Sequence, residues 1–301
     1  MKKFTNILAY INTHSESQPG LEKALLLAAS NRARLTVIDV IGEFPLSPLS
    51  QEVHQVIMRE KEEKLAKLSE KLRQSGQEIG THLAVGRGFL EIIRLVMRNQ
   101  HDLVIKTAEM PETAGTTSVF SATDKHLLRK CPCPVWLVRS GHNQLFKRIV
   151  AAVDPTTGDP KKDHLNRRIL EIALSLTKRD AAALSIIHAW STAGETLMRG
   201  RYSSQKIDEY VQETKTLSER KMHSLLEEFE IPLGDPRVVM RRGRPAATIA
   251  QFLKETSADC VIMGTLSRNG IAGLLIGNTA EELLDSIECS ILTLKPKEFV
   301  S

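Results

Sequence analysis

Four glycines crowd into MGTLSRNGIAGLLIG, a segment that follows an apolar run and precedes a helical pattern near the end of the chain. They are Gly264, Gly270, Gly273 and Gly277. Glycine allows the backbone to approach a phosphate closely, and N–H groups at the start of a following helix attract anions. Phosphate binding by the main chain is therefore the chemistry that this segment offers.

Other reactive groups are few. His188 lies in an apolar run, which predicts a packed histidine at a strand end and not a catalytic base. Cys131 and Cys133, in CPCP, are predicted to be two small buried residues at the start of a strand; a redox or metal role is the alternative. No Ser/His/Asp arrangement, paired carboxylates or Walker lysine can be recognised. We therefore expect no catalytic residue and no metal site.

Composition favours a soluble protein of two domains. The chain has 301 residues, no apolar run approaches the length of a membrane span, and the opening MKKFTNILAYINTHSES predicts a first strand, not a signal peptide. Residues 1–150 carry 21 Lys and Arg against 15 Asp and Glu, a net of +6, whereas the rest carries 20 against 21. With 4% aromatic residues and no basic stripe, we expect no specific nucleic-acid binding and a cytoplasmic location.

The two halves of the chain repeat one pattern. Four blocks match in the same order: 3–12 with 145–154, 33–42 with 182–191, 82–108 with 239–265, and 133–140 with 289–296. This internal similarity predicts a duplication. The boundary is predicted in the polar stretch SGHNQL, which gives a first domain over 1–142 and a second over 143–301.

Each half alternates apolar runs with helical patterns in the order βαβαβαβαβ. ILAYI (7–11) and IVAAV (149–153) are continuous apolar runs, typical of strands buried on both faces. The predicted fold class is α/β, with a doubly wound parallel sheet in each half. Such sheets bind ligands beyond the carboxyl ends of their strands, which puts Asn12, Asp154 and the glycine-rich segment on the candidate edge.

The second half, with RIVAAVD, GRPAATIAQFLKETSADCVIMGT and GNTAEELLDSIECSILTLKP, resembles a universal stress protein domain. The first half carries the same resemblance in GRGFLEIIRLVMRNQHDLVIK and SATDKHLLRKCPCPVWLV. The whole chain is similar to tandem-type universal stress proteins of the UspE kind. This resemblance implies two Rossmann-like domains, each with a mostly parallel five-stranded sheet, that pair within the chain. It also implies a non-enzymatic role in survival under starvation, oxidative or DNA-damaging stress; a homodimer and protein partners stay open.

Nucleotide-binding members of that family share a Gly-x2-Gly-x9-Gly-(Ser/Thr) pattern. Here Gly264 takes the first position, Ser267 replaces the second glycine, Gly277 takes the third, and Asn278 followed by Thr279 replaces the terminal Ser or Thr. The Cβ of Ser267 obstructs a glycine-only backbone shape, although its hydroxyl adds a donor. Asn278 and Thr279 offer donors at a helix start and would serve equally well as its N-cap.

The resemblance implies further ligand contacts, each at a single position of this sequence. Asp154 matches the acid that holds the adenine or ribose end, and Ala189 matches the position whose backbone faces the base. Met263 and Gly264 match the strand-end pair near the ribose and phosphates. The alternative for Asp154 is a turn in DPTTGD, in which the carboxylate accepts hydrogen bonds from its own backbone. Asn12 stands where Asp154 stands in the second half.

The first half departs further from the pattern. Thr107 takes the position of Gly264, and residues 121–123 take the positions of 277–279. Asp124 follows at once; it would repel an anion, or it is simply a favourable charge in the first turn of a helix. We therefore expect ATP or another adenine nucleotide in the second domain only. The alternative function is an ATP-independent scaffold whose second domain binds an apolar or amphipathic molecule at IAGLLIG (271–277).

Overall fold

The computed structural model describes residues 4–15, 17–43, 47–74, 76–108, 120–139, 145–157, 160–265 and 277–295. The chain divides into two compact units. The first comprises Met1–Gln144 together with Ser290–Ser301, and the second comprises Leu145–Cys289. The predicted boundary between residues 142 and 143 stays a prediction, because residues 140–144 lie outside the described residues.

Strands and helices alternate through both halves, as predicted, except that two helices lie between the second and third strands of the second half. Those of the first half are β1 (Asn6–Tyr10), α1 (Pro19–Asn31), β2 (Arg34–Ile41), α2 (Pro48–Gln74), β3 (Gly80–Val85), α3 (Gly88–Asn99), β4 (Leu103–Thr107), α4 (Ala122–Lys130) and β5 (Val135–Val138). Those of the second half are β6 (Arg148–Ala152), α5 (Pro160–Asp180), β7 (Ala183–Trp190), α6 (Glu195–Met198), α7 (Ser204–Glu227), β8 (Val238–Arg242), α8 (Pro245–Glu255), β9 (Cys260–Gly264), α9 (Asn278–Leu284) and β10 (Ser290–Leu294). A 3-10 turn, Pro155–Thr157, follows β6.

The sheet of the first unit has the order β3-β2-β1-β4-β5-β10. Its first five strands are parallel, whereas β10 runs antiparallel to β5, with Leu292 opposite Trp136. The last strand that the structure describes therefore lies in the sheet of the first unit, so the described sheets have six and four strands, which corrects the prediction of five in each. In the second unit the order is β9-β6-β7-β8, and all four strands are parallel.

The cores consist of the apolar runs that predicted the strands. Every residue of β5 and of β10 is buried, and Ile7, Ile105 and Ile262 are fully inaccessible to solvent. Helices on the sheet faces remove these side chains from water, at a gain of about 25 cal/mol per Å² of apolar surface. The predicted burial of ILAYI (7–11) and IVAAV (149–153) is therefore confirmed except at the half-buried Tyr10, whereas β3 and β8 are partly exposed.

Helix α2, the longest of the described helices, is followed by a glycine that closes its last turn. Gly76 adopts φ +81°, a left-handed conformation that glycine adopts without strain. The N–H of Gln77 then donates to the carbonyl of Leu72 at 2.8 Å, which closes the last turn. Among the helices that the structure describes, none is both long and apolar enough to span a membrane.

Candidate functional site

The carboxyl ends of three neighbouring strands form the candidate site of the second unit. Strand β6 lies between β9 and β7, and its last residue, Ala152, is level with Met263 of β9 and with Ile187 of β7. Asp154 follows β6 by two residues, Ala189 is the next-to-last residue of β7, and Gly264 ends β9. These residues, named from the sequence, therefore lie at one edge of one sheet.

Asp154 forms the turn that the sequence offered as the alternative to ligand binding. Its carboxylate Oδ1 accepts a hydrogen bond from the Thr156 hydroxyl at 2.6 Å and lies 3.4 Å from the Thr156 N–H. The Asn166 side chain bonds both main-chain groups of Asp154, at 3.0 Å and 2.9 Å. The position of Asp154 is therefore fixed by its own turn and by α5.

Gly264 is a position of close packing between β9 and α5. An ideal Cβ placed on it would lie 2.6 Å from Cδ2 of Leu165 and 3.8 Å from Cδ1 of Ile169. The helix that covers the strand therefore favours a small residue here, independently of any ligand. Met263, its neighbour, is 4% exposed.

The end of the glycine-rich segment returns to β9. The N–H of Gly277 donates to the carbonyl of Thr265 at 2.7 Å, so the segment begins and ends at the same strand end. Residues 266–276 between them, including Ser267 and most of IAGLLIG, lie outside the described residues.

The N-cap of α9 is Gly277, which corrects our assignment of that role to Asn278 or Thr279. The glycine backbone is extended, at φ −64° and ψ 146°, and its carbonyl accepts from the N–H of Glu281 at 3.0 Å. Asn278 and Thr279 are the first two residues inside the helix. The helix begins one residue earlier than the side-chain types suggested, because glycine fills the N-cap backbone geometry without a side-chain hydrogen bond.

His188 is packed inside the second unit, as predicted. It is fully buried in β7, and its Nδ1 lies 3.1 Å from the carbonyl oxygen of Val153. A carbonyl only accepts hydrogen bonds, so Nδ1 carries the proton in this contact. Ala189, the next residue, is 5% exposed.

In the first unit, an ion pair lies at the end of β4, the strand that corresponds to β9 of the second unit. Nζ of Lys106, in β4, lies 3.0 Å from Oδ1 of Asp124, in α4, and both side chains are fully buried. Asp124 also accepts the N–H of Ser121, whose hydroxyl accepts the N–H of Asp124 at 3.2 Å, which completes a capping box. The prediction of a favourable charge in the first helical turn is confirmed. Aligned with the second unit, these two charged positions are Met263 and Ala280.

A second buried ion pair joins α2 to β2. Nζ of Lys61 donates to Oδ2 of Asp39 at 2.7 Å, with side-chain exposures of 7% and 1%. The same carboxylate oxygen accepts the N–H of Thr13, in the loop after β1, at 3.0 Å. In the alignment of the halves, Asp39 takes the position of His188. The first unit thus places charge pairs at two positions where the second unit has none.

Sequence reasoning did not single out Asp39, Lys61 or Lys106. A pattern that points to two of them was available, since LVIKT and RLTVIDVI each place a charged residue inside an apolar strand. A charge in such a place is rarely buried without a partner. Lys61 gave no comparable pattern, because α2 is rich in Lys and Glu throughout.

Cys131 and Cys133 are buried free thiols at the start of β5, as predicted, with sulfurs 3.6 Å apart. Hydrogen bonding to Cys133 and the nearby Lys295 ammonium lower the pKa of Cys131, whereas the same sulfur contact and burial raise the pKa of Cys133. The Lys295 ammonium donates to the carbonyl of Cys131, and burial lowers its pKa. Within the described ranges, no three His, Cys, Asp or Glu side chains are grouped to hold a metal ion.

Comparison with known proteins agrees with this α/β fold. The model of the universal stress protein family matches residues 3–139 and 145–295. The chain therefore belongs to the universal stress protein family and contains two domains of that family in tandem. Family membership supports a role in the stress response.

Full-length similarity extends to universal stress proteins of type E. The chain is 27% identical to a universal stress protein E homolog of Haemophilus influenzae, over 98% of this chain and 99% of the relative. It is 26% identical to universal stress protein E of Salmonella typhi, over 99% of this chain and 96% of the relative.

A universal stress protein of Pseudomonas aeruginosa shares the fold at 23% identity and a TM-score of 0.76, over 99% of this chain and 95% of that one. A universal stress protein of Archaeoglobus fulgidus also shares the fold. Its sequence is 17% identical and its TM-score is 0.63, over 96% of this chain and 98% of that one.

Proposed function

We propose that the protein is a non-enzymatic, cytoplasmic stress protein whose second domain binds an adenine nucleotide, such as ATP, and whose first domain does not. Nucleotide occupancy of the second domain would then alter its interactions during stress. Universal stress proteins are generally not enzymes. Of the residues the structure describes, none forms a nucleophile and base arrangement at the candidate edge.

The proposal rests on the four predicted site residues that lie together at one sheet edge of the second unit. Asp154, Ala189, Met263 and Gly264 end adjacent parallel strands, which is where sheets of this class bind nucleotides. The hydrogen bond from Gly277 to Thr265 anchors both ends of the glycine-rich segment beside them. A ligand at this edge would contact main-chain N–H groups of the segment through its phosphates and Asp154 through its base or ribose.

The contrast with the first unit supports the restriction to one domain. At the end of β4, Lys106 and Asp124 form a fully buried ion pair, with 3.0 Å between Nζ and Oδ1. An incoming phosphate would have to displace a carboxylate that also caps α4. Two like charges at such a distance in a low-dielectric interior repel strongly. The first domain therefore has an internal ion pair where the second has uncharged residues.

Calorimetric titration of the full chain with Mg-ATP, after native mass spectrometry of gently purified protein, tests the proposal. We expect one bound nucleotide per chain. Gly277→Val and Asp154→Ala should each weaken binding tenfold or more. Valine tolerates φ −64° and ψ 146°, so its effect would report steric exclusion of the ligand and not backbone strain.

Asn12→Ala is the matched control, since Asn12 occupies the position of Asp154 in the first unit. It should bind ATP as the unmodified chain does. Two nucleotides per chain, or equal effects of Asn12→Ala and Asp154→Ala, would contradict the restriction to the second domain. No heat and no bound nucleotide would contradict nucleotide binding altogether.

The second candidate is an ATP-independent scaffold whose second domain binds an apolar or amphipathic molecule. Its support comes from the sequence, in which IAGLLIG (271–277) is apolar and Ser267 and Asn278 depart from the nucleotide-binding pattern. Native mass spectrometry would support this candidate if an apolar small molecule co-purifies with the unmodified chain and is absent from Gly277→Val.

A further inference from the structure

Helix α2 exposes a row of apolar side chains near its start. Leu49 is 71% exposed, Val53 is 43% exposed and Val56 is 66% exposed. Residues spaced by three and four lie on one face of a helix, so these three side chains are neighbours. The buried side of α2 is a different one and includes Lys61 and Leu65. Single exposed apolar residues are ordinary, but a contiguous group indicates an interaction surface. We call Leu49, Val53 and Val56 the α2 stripe.

The fold does not require the α2 stripe. The alignment of β3, α3 and β4 with β8, α8 and β9, continued toward the start of the chain without a gap, places Lys61 level with Ser218 and Leu65 level with Met222 of α7. All four residues are buried, so the two helices turn equivalent sides toward their cores. The positions of the stripe then hold, in order, Lys206, Tyr210 and Glu213. The second unit thus builds the corresponding helix with two charged residues and a tyrosine where the first exposes only apolar ones.

Opposite charges lie along one border of the α2 stripe. Glu52 and Arg59 are exposed, and within the described residues no ion pair engages either of them. They are two helical turns apart, so they lie on the same side of the stripe, separated by about 10 Å along the helix. That separation is too large for a pair within one helix. Each charge is therefore available to an opposite charge of another molecule.

A second copy of this chain matches both features. If two α2 helices pack antiparallel, with Val53 of each copy against Val56 of the other, a two-fold axis passes between them. Glu52 then lies beside Arg59 of the second copy, and the symmetry repeats the pair. The apolar residues occupy the centre of this contact and the charges its border, as in helix pairs whose flanking charges select partner and orientation. In a parallel pair, Glu52 and Arg59 would lie on opposite sides of the contact and could not meet.

We propose that the α2 stripe is the interface of a homodimer in which two copies of this chain pack α2 against α2 in antiparallel orientation. The contact is small. Standard interfaces bury about 1,200–2,000 Å², more than three apolar side chains of one helix offer, so we expect a Kd on the order of 10 µM or weaker. The dimer therefore forms as the concentration of the chain rises. This interface lies in the first unit and shares no residue with the proposed nucleotide site of the second.

Sedimentation velocity of the full chain, at concentrations well below and well above that Kd, tests the proposal. We expect the sedimentation coefficient to rise from that of a monomer to that of a dimer. Val53→Lys and Val56→Lys should each weaken the dimer tenfold or more, because the contact would bury a charge among apolar residues. Both positions are exposed in the monomer, so the Tm of dilute protein should stay unchanged. Leu217→Lys is the matched control, since Leu217 is exposed on α7 outside the stripe, and it should leave the Kd unchanged.

Exchanging the flanking charges tests the antiparallel arrangement. Glu52→Arg makes both flanking positions positive and Arg59→Glu makes both negative, so like charges meet in either homodimer. Each variant alone should dimerise about tenfold more weakly. Mixed in equal amounts, the two variants should form a heterodimer at least as stable as the unmodified dimer, because every flanking contact then joins opposite charges. Arg73→Glu, at the far end of the same helix, is the control and should leave the Kd unchanged.

A chain that stays monomeric at every concentration would overturn the proposal. So would a dimer that Val53→Lys and Val56→Lys leave unchanged, or a mixture of Glu52→Arg and Arg59→Glu that dimerises no better than either variant alone. Co-sedimentation of a strictly monomeric chain with anionic phosphatidylglycerol vesicles, lost in Val53→Lys, would assign the stripe to a lipid surface instead. Asp154→Ala should leave dimerisation intact and Val53→Lys should leave Mg-ATP binding intact, which separates this test from that of the nucleotide site.

Discussion

Lys106 and Asp124 form an ion pair of 3.0 Å in which neither side chain is accessible to solvent. The pair links the end of β4 to the first turn of α4, across the segment that corresponds to the glycine-rich segment of the second unit. A buried charge that loses its partner is strongly destabilising, typically by about 3–5 kcal/mol. This pair therefore makes the first unit sensitive to single substitutions.

Lys106→Met alone should lower the free energy of unfolding by about 3–5 kcal/mol, because it leaves the Asp124 carboxylate buried and unpaired. The double variant Lys106→Met with Asp124→Ala, which introduces the residues of the second unit, should recover part of this loss. About 1 kcal/mol would stay lost with the capping box. Urea denaturation measures these differences, and the exposed pair Arg73–Glu70 serves as control, with an expected effect below about 1 kcal/mol. A double variant as unstable as the sum of the singles would contradict the pairing.

Gly20→Ala should destabilise the first unit by about 1–3 kcal/mol. An alanine Cβ would lie 2.5 Å from the backbone nitrogen of Thr107, and a strand backbone has little freedom to move. Gly264→Ala should cost less, because its neighbour at 2.6 Å is the end of the Leu165 side chain. Gly234→Ala, with open space around it, is the control, expected within about 0.5 kcal/mol of the unmodified chain in thermal unfolding. Equal losses at all three positions would refute this packing account.

Stability should fall between pH 7 and pH 5 in part because of His101. Burial lowers the pKa of His101 below its ordinary value of 6.5, and the residue is 3% exposed. The unfolded chain therefore takes up the proton first as the pH falls, which favours unfolding below about pH 6.5. His101→Gln should flatten the decline, followed by urea denaturation at several pH values. His223→Gln, at an exposed position on α7, should leave the slope unchanged; an equal effect of both variants would contradict the assignment to His101.

The two cysteines of the CPCP motif should resist modification in the folded protein. Cys131 and Cys133 are 0% and 2% exposed, so thiol reagents should label them only after unfolding. The pKa difference between the two sulfurs depends on their contact, burial and the nearby Lys295 in the folded protein, so it is lost on unfolding, and in denaturant Cys131 and Cys133 should be alkylated at similar rates. Mass spectrometry of peptides after timed iodoacetamide treatment distinguishes the two. Rapid labelling of Cys133 in the native protein would contradict the observed burial.

Much of the fold could be predicted from the sequence, because the apolar runs and helical periodicities of the two halves agree with each other. Parallel topology also predicted that Asp154 and the glycine-rich segment, which includes Gly264, lie at one edge, whereas Ala189 was added by the family resemblance. The ion pairs could not be predicted, since partners such as Lys61 and Asp39 are 22 residues apart and their contact depends on how α2 packs on β2. The pairing of β10 with β5 could not be predicted either, because the apolar sequence of β10 is equally suited to a parallel or an antiparallel neighbour.

The position of β10 has a consequence for biosynthesis. A ribosome makes β5 before β6–β9 and makes Ser290–Leu294 after them, so a nascent first half lacks the strand that pairs with β5 until the strands of the second unit have been translated. Open apolar strand edges recruit other strands. Cells that stall translation in the second half would therefore release fragments prone to aggregation, and synthesis of β10 is itself the step that covers the edge of β5.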